Sequence, residues 1–250
     1  MPKVSHRALK TYQDCPRRYK YIYIDDLSKR YAEPQAKFTM GQHVHLTLKK
    51  LLAEIPVEQR TTEKAAEILR TVWRTNRKGF ASREEEANFG KRALAMLDIF
   101  IDSPLLAQPK MLEEWVEFAV ADNIVLFGRI DRLDEDSAGA MHLIDYKTGE
   151  SLPERADKGQ LLIYSALIRR GLDLPLVTAS YWYLEQNEFV SIRPTESDID
   201  FIIEEILRTT DRIKQDTLFT PTPSYACKWC EFIDICPAKE QAMAIKNGIA

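Results

Sequence analysis

Apolar residues recur every three or four positions through the first hundred residues and fall into shorter, alternating runs after that. Leu9, Tyr12, Cys15, Tyr19 and Tyr23 predict an amphipathic helix over 5–24 with Ser5 as its N-cap. Val44, Leu48, Leu51 and Leu52 share one face of a second helix over 40–54. Helices over 62–79 and 84–102 follow. Thr61 or Thr62 opens the first, and Glu84, Glu85 and Glu86 suit the positive N-terminal end of the second. Near residue 111 the pattern turns β-rich. EEWVEFAVADNIVLFGRIDRLDED predicts two strands about a turn at Asp122-Asn123, and AMHLIDYKTG a third strand after a turn at Asp136–Gly139. KGQLLIYSALIRRGL predicts a helix stopped by Gly171 as a C′ residue. LVTASYWYLEQNEFVSIRPT predicts two strands about Gln186-Asn187, and 195–216 a long helix capped by Thr195 or Ser197. No internal repeat or low-complexity linker interrupts the chain. The expectation is an α/β or α+β sheet flanked by helices, one unit over 1–250. Residues 1–110 are its mostly helical part, 111–194 its sheet and a helix, and 195–250 a last helix and a cysteine cluster.

Composition narrows the class without naming a function. The 250 residues are 45% hydrophobic and 29% charged, with 35 Lys and Arg against 38 Asp and Glu. This is the balance of a globular chain able to bury a core unaided. No apolar run reaches the roughly 18–20 residues that span a bilayer. The basic, aromatic start lacks the apolar stretch of an export signal, so a cytoplasmic location and no membrane partner are expected.

The four cysteines are unevenly placed. Cys15 stands alone, while Cys227, Cys230 and Cys236 crowd together as C-x2-C-x5-C. A reducing compartment disfavours disulfides. Three thiols within ten residues plus a fourth delivered by the fold suit zinc or an iron–sulfur cluster, because both take soft sulfur donors in tetrahedral array. Paired C-x2-C knuckles, usual in zinc ribbons, are missing, which leans toward the cluster. Pro follows both Cys15 and Cys236. Because Pro disfavours the α region for its predecessor, each thiol should sit at a helix end or turn. Joining residue 15 to 227–236 would close a very long loop and restrict the unfolded chain.

The densest chemistry lies in the strands. Asp131, in Gly128-Arg129-Ile130-Asp131, is expected to end one strand, and Asp145 lies at the end of the next but one hydrophobic run, Met141 to Ile144, two residues before Lys147. A hairpin can bring the two carboxylates to one hard divalent ion, Mg²⁺ or Mn²⁺, and period two puts Asp145 and Lys147 on one face. A lysine beside such an ion can hold water or offset charge on phosphorus, as phosphodiester hydrolysis requires. Gln160 and Tyr164, four apart, share a face of the following helix. His43 and His45 lie in Gly41-Gln-His-Val-His45 and point in different directions on a helix, so only one can be a ligand. His142 reads as structural, and Glu117 as a solvent-face residue with a lesser claim as an extra acidic contact.

Taken together and in order, Gly41 to His45, Gly128 to Asp131, Asp145 to Lys147 and Gln160 to Tyr164 resemble the RecB-type branch of the PD-(D/E)xK nuclease superfamily. The order and spacing of the four cysteines are similar to those of its iron–sulfur members. These include CRISPR-associated RecB-like exonucleases and the nuclease domains of AddAB-type recombination helicases. The resemblance spans residues 5 to 240. It implies a restriction-endonuclease-like fold, with a central mixed sheet flanked by helices and a four-cysteine metal site joining the chain ends. It implies a Mg²⁺- or Mn²⁺-dependent DNA nuclease acting on single strands or ends, in recombination, repair or CRISPR adaptation. His45, Asp131 and Asp145 would ligate the metal, with the Tyr146 carbonyl as a further ligand. Lys147 would be the catalytic lysine, and Gln160 and Tyr164 would position Lys147 or DNA. Cys15, Cys227, Cys230 and Cys236 would hold a [4Fe-4S] cluster, with zinc as the alternative. A non-catalytic DNA-binding or assembly module of the same fold stays open.

Two basic stretches are candidates for DNA contact. Residues 1–30 hold eight Lys and Arg against three acids, with Arg7, Lys10, Arg17, Arg18 and Lys20 interleaved with Tyr12, Tyr19, Tyr21 and Tyr23. Cations of this kind supply backbone affinity and aromatics can stack on bases, although the tyrosines read first as core. Arg70, Arg74, Arg77 and Lys78 form the second stretch. No G-x-x-x-x-G-K-[ST] motif is present, so any helicase or CRISPR adaptation partner would be a separate chain.

Overall fold

The computed structural model describes residues 3–149 and 153–248. In chain order the elements are β1 (Lys3–Val4), α1 (His6–Asp14), α2 (Pro16–Tyr19), α3 (Ser28–Tyr31), α4 (Ala36–Glu54), α5 (Thr62–Trp73), α6 (Arg83–Ile101), β2 (Met111–Ala121), β3 (Ile124–Glu135), β4 (Met141–Lys147), α7 (Lys158–Ala166), β5 (Leu176–Tyr183), β6 (Glu188–Ile192), α8 (Glu196–Gln215) and α9 (Lys239–Lys246). The polar caps act where the sequence places them. Ser5 accepts from the Ala8 amide and Thr61 from the Lys64 amide. At α8, Thr195 and Asp198 cap each other. The strand order is β1-β3-β4-β5-β6, with β2 also pairing β3. The chain packs as two compact units: residues 34–118 with 128–199, and residues 1–33 with 119–127 and 200–250.

In the first of these units β4 pairs antiparallel with β3 and parallel with β5, and β6 pairs antiparallel with β5, so the sheet is mixed. Successive strand residues face opposite sides. Ile144 and Tyr146 therefore enter a core built with Val44, Leu48, Leu97 and Phe100 from α4 and α6, and Trp182 from β5. Asp145 and Lys147 face the other way, toward Gln160 of α7. Helices thus flank both faces. Two expectations need correction here. The helix expected over 62–79 stops at Trp73, because Asn76 caps the Lys78 amide in a turn and Gly79 takes φ +92°. Arg77 folds back onto Glu86 instead of joining Arg70 on a helix face. Gly171 is not a left-handed cap. The chain runs on through a wide turn, Leu167–Gly171, and Gly171 is needed for close approach, since a Cβ there would lie 3.1 Å from Phe118 Cβ.

In the second unit β1 pairs parallel with Val125 and Leu126. The helix expected over 5–24 is broken: Cys15 is extended (φ −162°, ψ 107°), Pro16 restarts a short helix, and Lys20–Ile24 form a wide turn. Tyr12 and Tyr21 are buried, the first donating to Asp216 and the second to the Ile235 carbonyl, so neither is offered to bases. Arg17 is tied to the Leu218 carbonyl, Arg18 to Glu231 and Lys20 to Asp25. Among the described residues no helix is long and apolar enough to cross a membrane.

Candidate active site

Asp131 and Asp145 come from neighbouring strands, although Asp131 does not end its strand: β3 runs on to Glu135 because residues 132–135 keep pairing with β4. The antiparallel register pairs Arg132 with Ile144, and one further step sets Asp131 against Asp145. The site grows from that pair, and all of it lies within one unit. Asp131 Oδ2 accepts from the Tyr146 amide at 3.0 Å. Asp145 Oδ2 pairs with Lys147 Nζ at 2.7 Å. Lys147 also donates to Gln160 Oε1 at 2.9 Å and lies 4.3 Å from the centre of the Tyr181 ring. Gln160 is the hub. Its amide nitrogen donates to Asp145 Oδ1 at 3.3 Å and to the Tyr164 hydroxyl at 3.1 Å, while its oxygen also accepts from the Tyr181 hydroxyl at 3.2 Å. Gly128 makes room for Tyr164: a Cβ at 128 would lie 2.9 Å from the Tyr164 ring. Burial holds the Tyr164 and Tyr181 phenols well above their ordinary range, so both stay protonated.

α4 supplies the histidine. His45 Nε2 lies 3.1 Å from the Tyr146 carbonyl, and Nδ1 lies 3.0 Å from Glu113 Oε1 and 3.6 Å from Asp131 Oδ2. Burial pulls the imidazole down, but Asp131, Glu113 and Asp145 outweigh it and lift His45 to about 9. Burial and the charge of Asp145 push Asp131 up to about 7 against the pull of His45. His43 lies elsewhere. It is buried, meets the Asn76 carbonyl at 2.7 Å and packs on Trp73. His142 bridges Thr178 and Asp136 away from the site.

Glu113 is the residue that sequence reasoning missed. It is buried, takes the left-handed φ of +53°, and holds His45 with one oxygen and Arg129 Nε with the other at 2.9 Å. Such a backbone costs a non-glycine residue of order 1 kcal/mol or more and is retained where the surroundings impose it. This left-handed residue shifts the phase of β2, so that Glu113 and Val116 are both buried. Periodicity alone therefore cannot distinguish Glu113 from Glu114 or from Glu117, which is exposed. An acid at the start of the strand before Gly128 was the available signal.

The donors fit a hard divalent cation. Ligand atoms of His45, Glu113 and Asp131 lie within 4.8 Å of one another, and the Tyr146 carbonyl and Asp145 adjoin them. Carboxylates crowded enough to raise Asp131 are what such an ion would relieve. In the other unit Cys15, Cys227, Cys230 and Cys236 line a single cavity with Tyr21 and Phe232. Each thiol stands at a turn or helix end: Cys15 before α2, Cys227 within the turn Tyr225–Trp229, and Cys230 and Cys236 closing short turns. Burial pushes the Cys230 thiol up to about 11.

No curated protein matches the sequence. Among solved structures, the crystal structure of SSO0001 is 16% identical, with a TM-score of 0.44 over 95% of this chain and 86% of that one, a likeness too loose to bear on function. A profile of the PD-(D/E)XK nuclease superfamily matches residues 3–237. With nearly its whole length covered, the chain belongs to the PD-(D/E)XK nuclease superfamily.

Proposed function

We propose that this chain is a divalent-metal-dependent DNA nuclease of the RecB type, acting on single strands or ends in recombination, repair or CRISPR adaptation beside a separate helicase or adaptation protein. The observation that carries the reading is the meeting of Asp131, Asp145 and Lys147 with His45 at one place. His45, Asp131, Asp145 and the Tyr146 carbonyl would hold Mg²⁺ or Mn²⁺, with Glu113 at their side. When bound, such an ion supplies Lewis acidity and an activated water. Lys147 faces the same carboxylates, and its charge offsets the negative charge that builds on the phosphoryl oxygens as water adds to phosphorus and the ester P–O bond breaks. Gln160 and Tyr181 fix where that charge stands, and Tyr164 steadies Gln160. Arg129, held by Glu113 and half exposed, is a second cation at the rim.

The four thiols around one cavity support a [4Fe-4S] cluster, or zinc, as a fastener for the chain ends. The all-sulfur donor set suits either.

The test of the activity is cleavage of single strands, linear duplexes and closed circles with Mg²⁺ or Mn²⁺, by the wild type and by Asp145→Ala and Lys147→Ala. Loss in both variants is expected. Equal cutting by all three proteins, or none by any, overturns the reading. Iron, sulfide and zinc content after anaerobic purification decides what the thiols hold.

A further inference from the structure

The helix that supplies His45 also presents an uncovered face. At 100° per residue, Phe38, Gln42, His45, Leu46 and Lys49 fall on one stripe of α4. Phe38 is 61% exposed and Leu46 38% exposed. Lys37 Nζ stands 5.1 Å from the centre of the Phe38 ring. From Ala36 onward α4 carries no acid until Glu54, yet it holds Lys37, Lys49 and Lys50, in a chain whose net charge is −3. The direction of the stripe is fixed by two contacts. His45 meets the Tyr146 carbonyl, and a Cβ on Gly41 would lie 2.7 Å from Thr148 Oγ1. The helix therefore runs past the end of β4, and Phe38 lies beyond Gly41, about 10 Å along the axis from His45.

Single exposed apolar residues are ordinary. Here two of them share a stripe with the candidate metal-binding histidine, on a helix whose one acid, Glu54, stands at its far end and pairs with Lys50. A ligand that satisfies both features is a polyanion with flat apolar faces. In a duplex those faces are stacked inside and out of reach. In a single strand they are free, and aromatic side chains bind them without regard to sequence. We propose that the exposed stripe of α4 is the track for a single nucleic-acid strand, with Phe38 stacking on a base and Lys37 and Lys49 meeting phosphates, about three stacked nucleotide rises or fewer from the scissile bond. This rests on the nuclease reading above and names the form of substrate that the site accepts.

The experiment measures strand affinity by fluorescence anisotropy in an Asp145→Ala background, so that the strand stays intact. An oligothymidine is compared with a base-free sugar–phosphate strand of equal length. The parent binds the oligothymidine more tightly. Phe38→Ala should erase most of that preference, a loss of about ten-fold in oligothymidine affinity, and Phe38→Tyr should restore it. Lys49→Gln should weaken both strands alike and flatten the salt dependence by about one unit of slope. If Phe38→Ala keeps the full preference, or if it loses both strands equally, the track is refuted. Wild-type cleavage with Mn²⁺ separates the two readings. A protein that cuts DNA but ignores Phe38 retains the nuclease assignment and loses the track, whereas one that neither binds nor cuts loses both.

Discussion

Replacing Asp131 with Asn should make the metal-free protein more stable while abolishing cleavage. The buried carboxylate has its pKa raised from 3.8 to about 7, by burial first and then by Asp145. At about 1.36 kcal/mol per unit, keeping it ionised above that pH costs the fold on the order of 4 kcal/mol. Part of the relief is offset, because Asp131 is also the main charge that lifts His45. Asn keeps an oxygen for the Tyr146 amide, so a net gain of about 2–4 kcal/mol is expected at pH ~8 in EDTA, or roughly 5–15 °C in Tm. The sign follows from linkage. A raised carboxylate pKa destabilises above the folded value, and the penalty fades as pH falls from about 7 toward 3.8. The variant's advantage should therefore shrink toward zero in that window. Added Mn²⁺ should stabilise the wild type in proportion to the logarithm of its concentration over Kd, and the variant much less. Chemical melts at several pH values, with and without Mn²⁺, measure all of this. No advantage in EDTA at pH ~8, or an equal advantage at pH ~5, would show that burial and the neighbouring charge do not raise the Asp131 pKa.

Three further outcomes follow from the same geometry. Gly128→Ala places a methyl 2.9 Å from both Leu167 Cδ1 and the Tyr164 ring, so it should cost about 1–3 kcal/mol in urea melts and lower kcat. Leu167→Ala in the same chain should recover stability in part. Glu113→Gln keeps the side-chain size but removes one of the charges that raise His45, so the His45 titration followed by NMR should move down from about 9, with turnover lowered about ten- to a hundred-fold. An unmoved His45 titration would contradict the contact. Cys15→Ala should give a colourless, poorly soluble protein with depleted metal content, and a folded variant with its metal unchanged would refute the proposed fastening by the four thiols.

What could be read from sequence is what local physics controls. Ser5, Thr61 and Thr195 cap their helices because a side-chain oxygen needs only neighbouring amides. The strands bearing Asp131 and Asp145 were legible from alternation and turns, and the d-x-K face followed from period two. Pro16 correctly placed Cys15 in extended backbone at a helix boundary. The illegible parts depend on distant residues. The Gly41-to-His45 spacing pointed to His45 over His43, but not to the reason for the difference: β4 and Glu113 lie on one side of α4 and Asn76 and Trp73 on the other. The tyrosines near Cys15 could be stacking surfaces or core, and only the positions of Asp216 and Ile235 settle Tyr12 and Tyr21 as core. Glu113 was hidden by a left-handed residue inside β2 that no period describes.

The polarity of the Gln160 amide has its own consequence. Its oxygen faces an ammonium and its nitrogen a carboxylate, so turning the group over would set like against like on both sides. The hub is therefore a one-way latch. A lysine's flexible tether surrenders much of its rotational freedom when it is held this way, and here that surrender happens during folding. In the proposed nuclease the ammonium would already be parked when substrate binds, leaving little activation entropy to be lost in bringing it there.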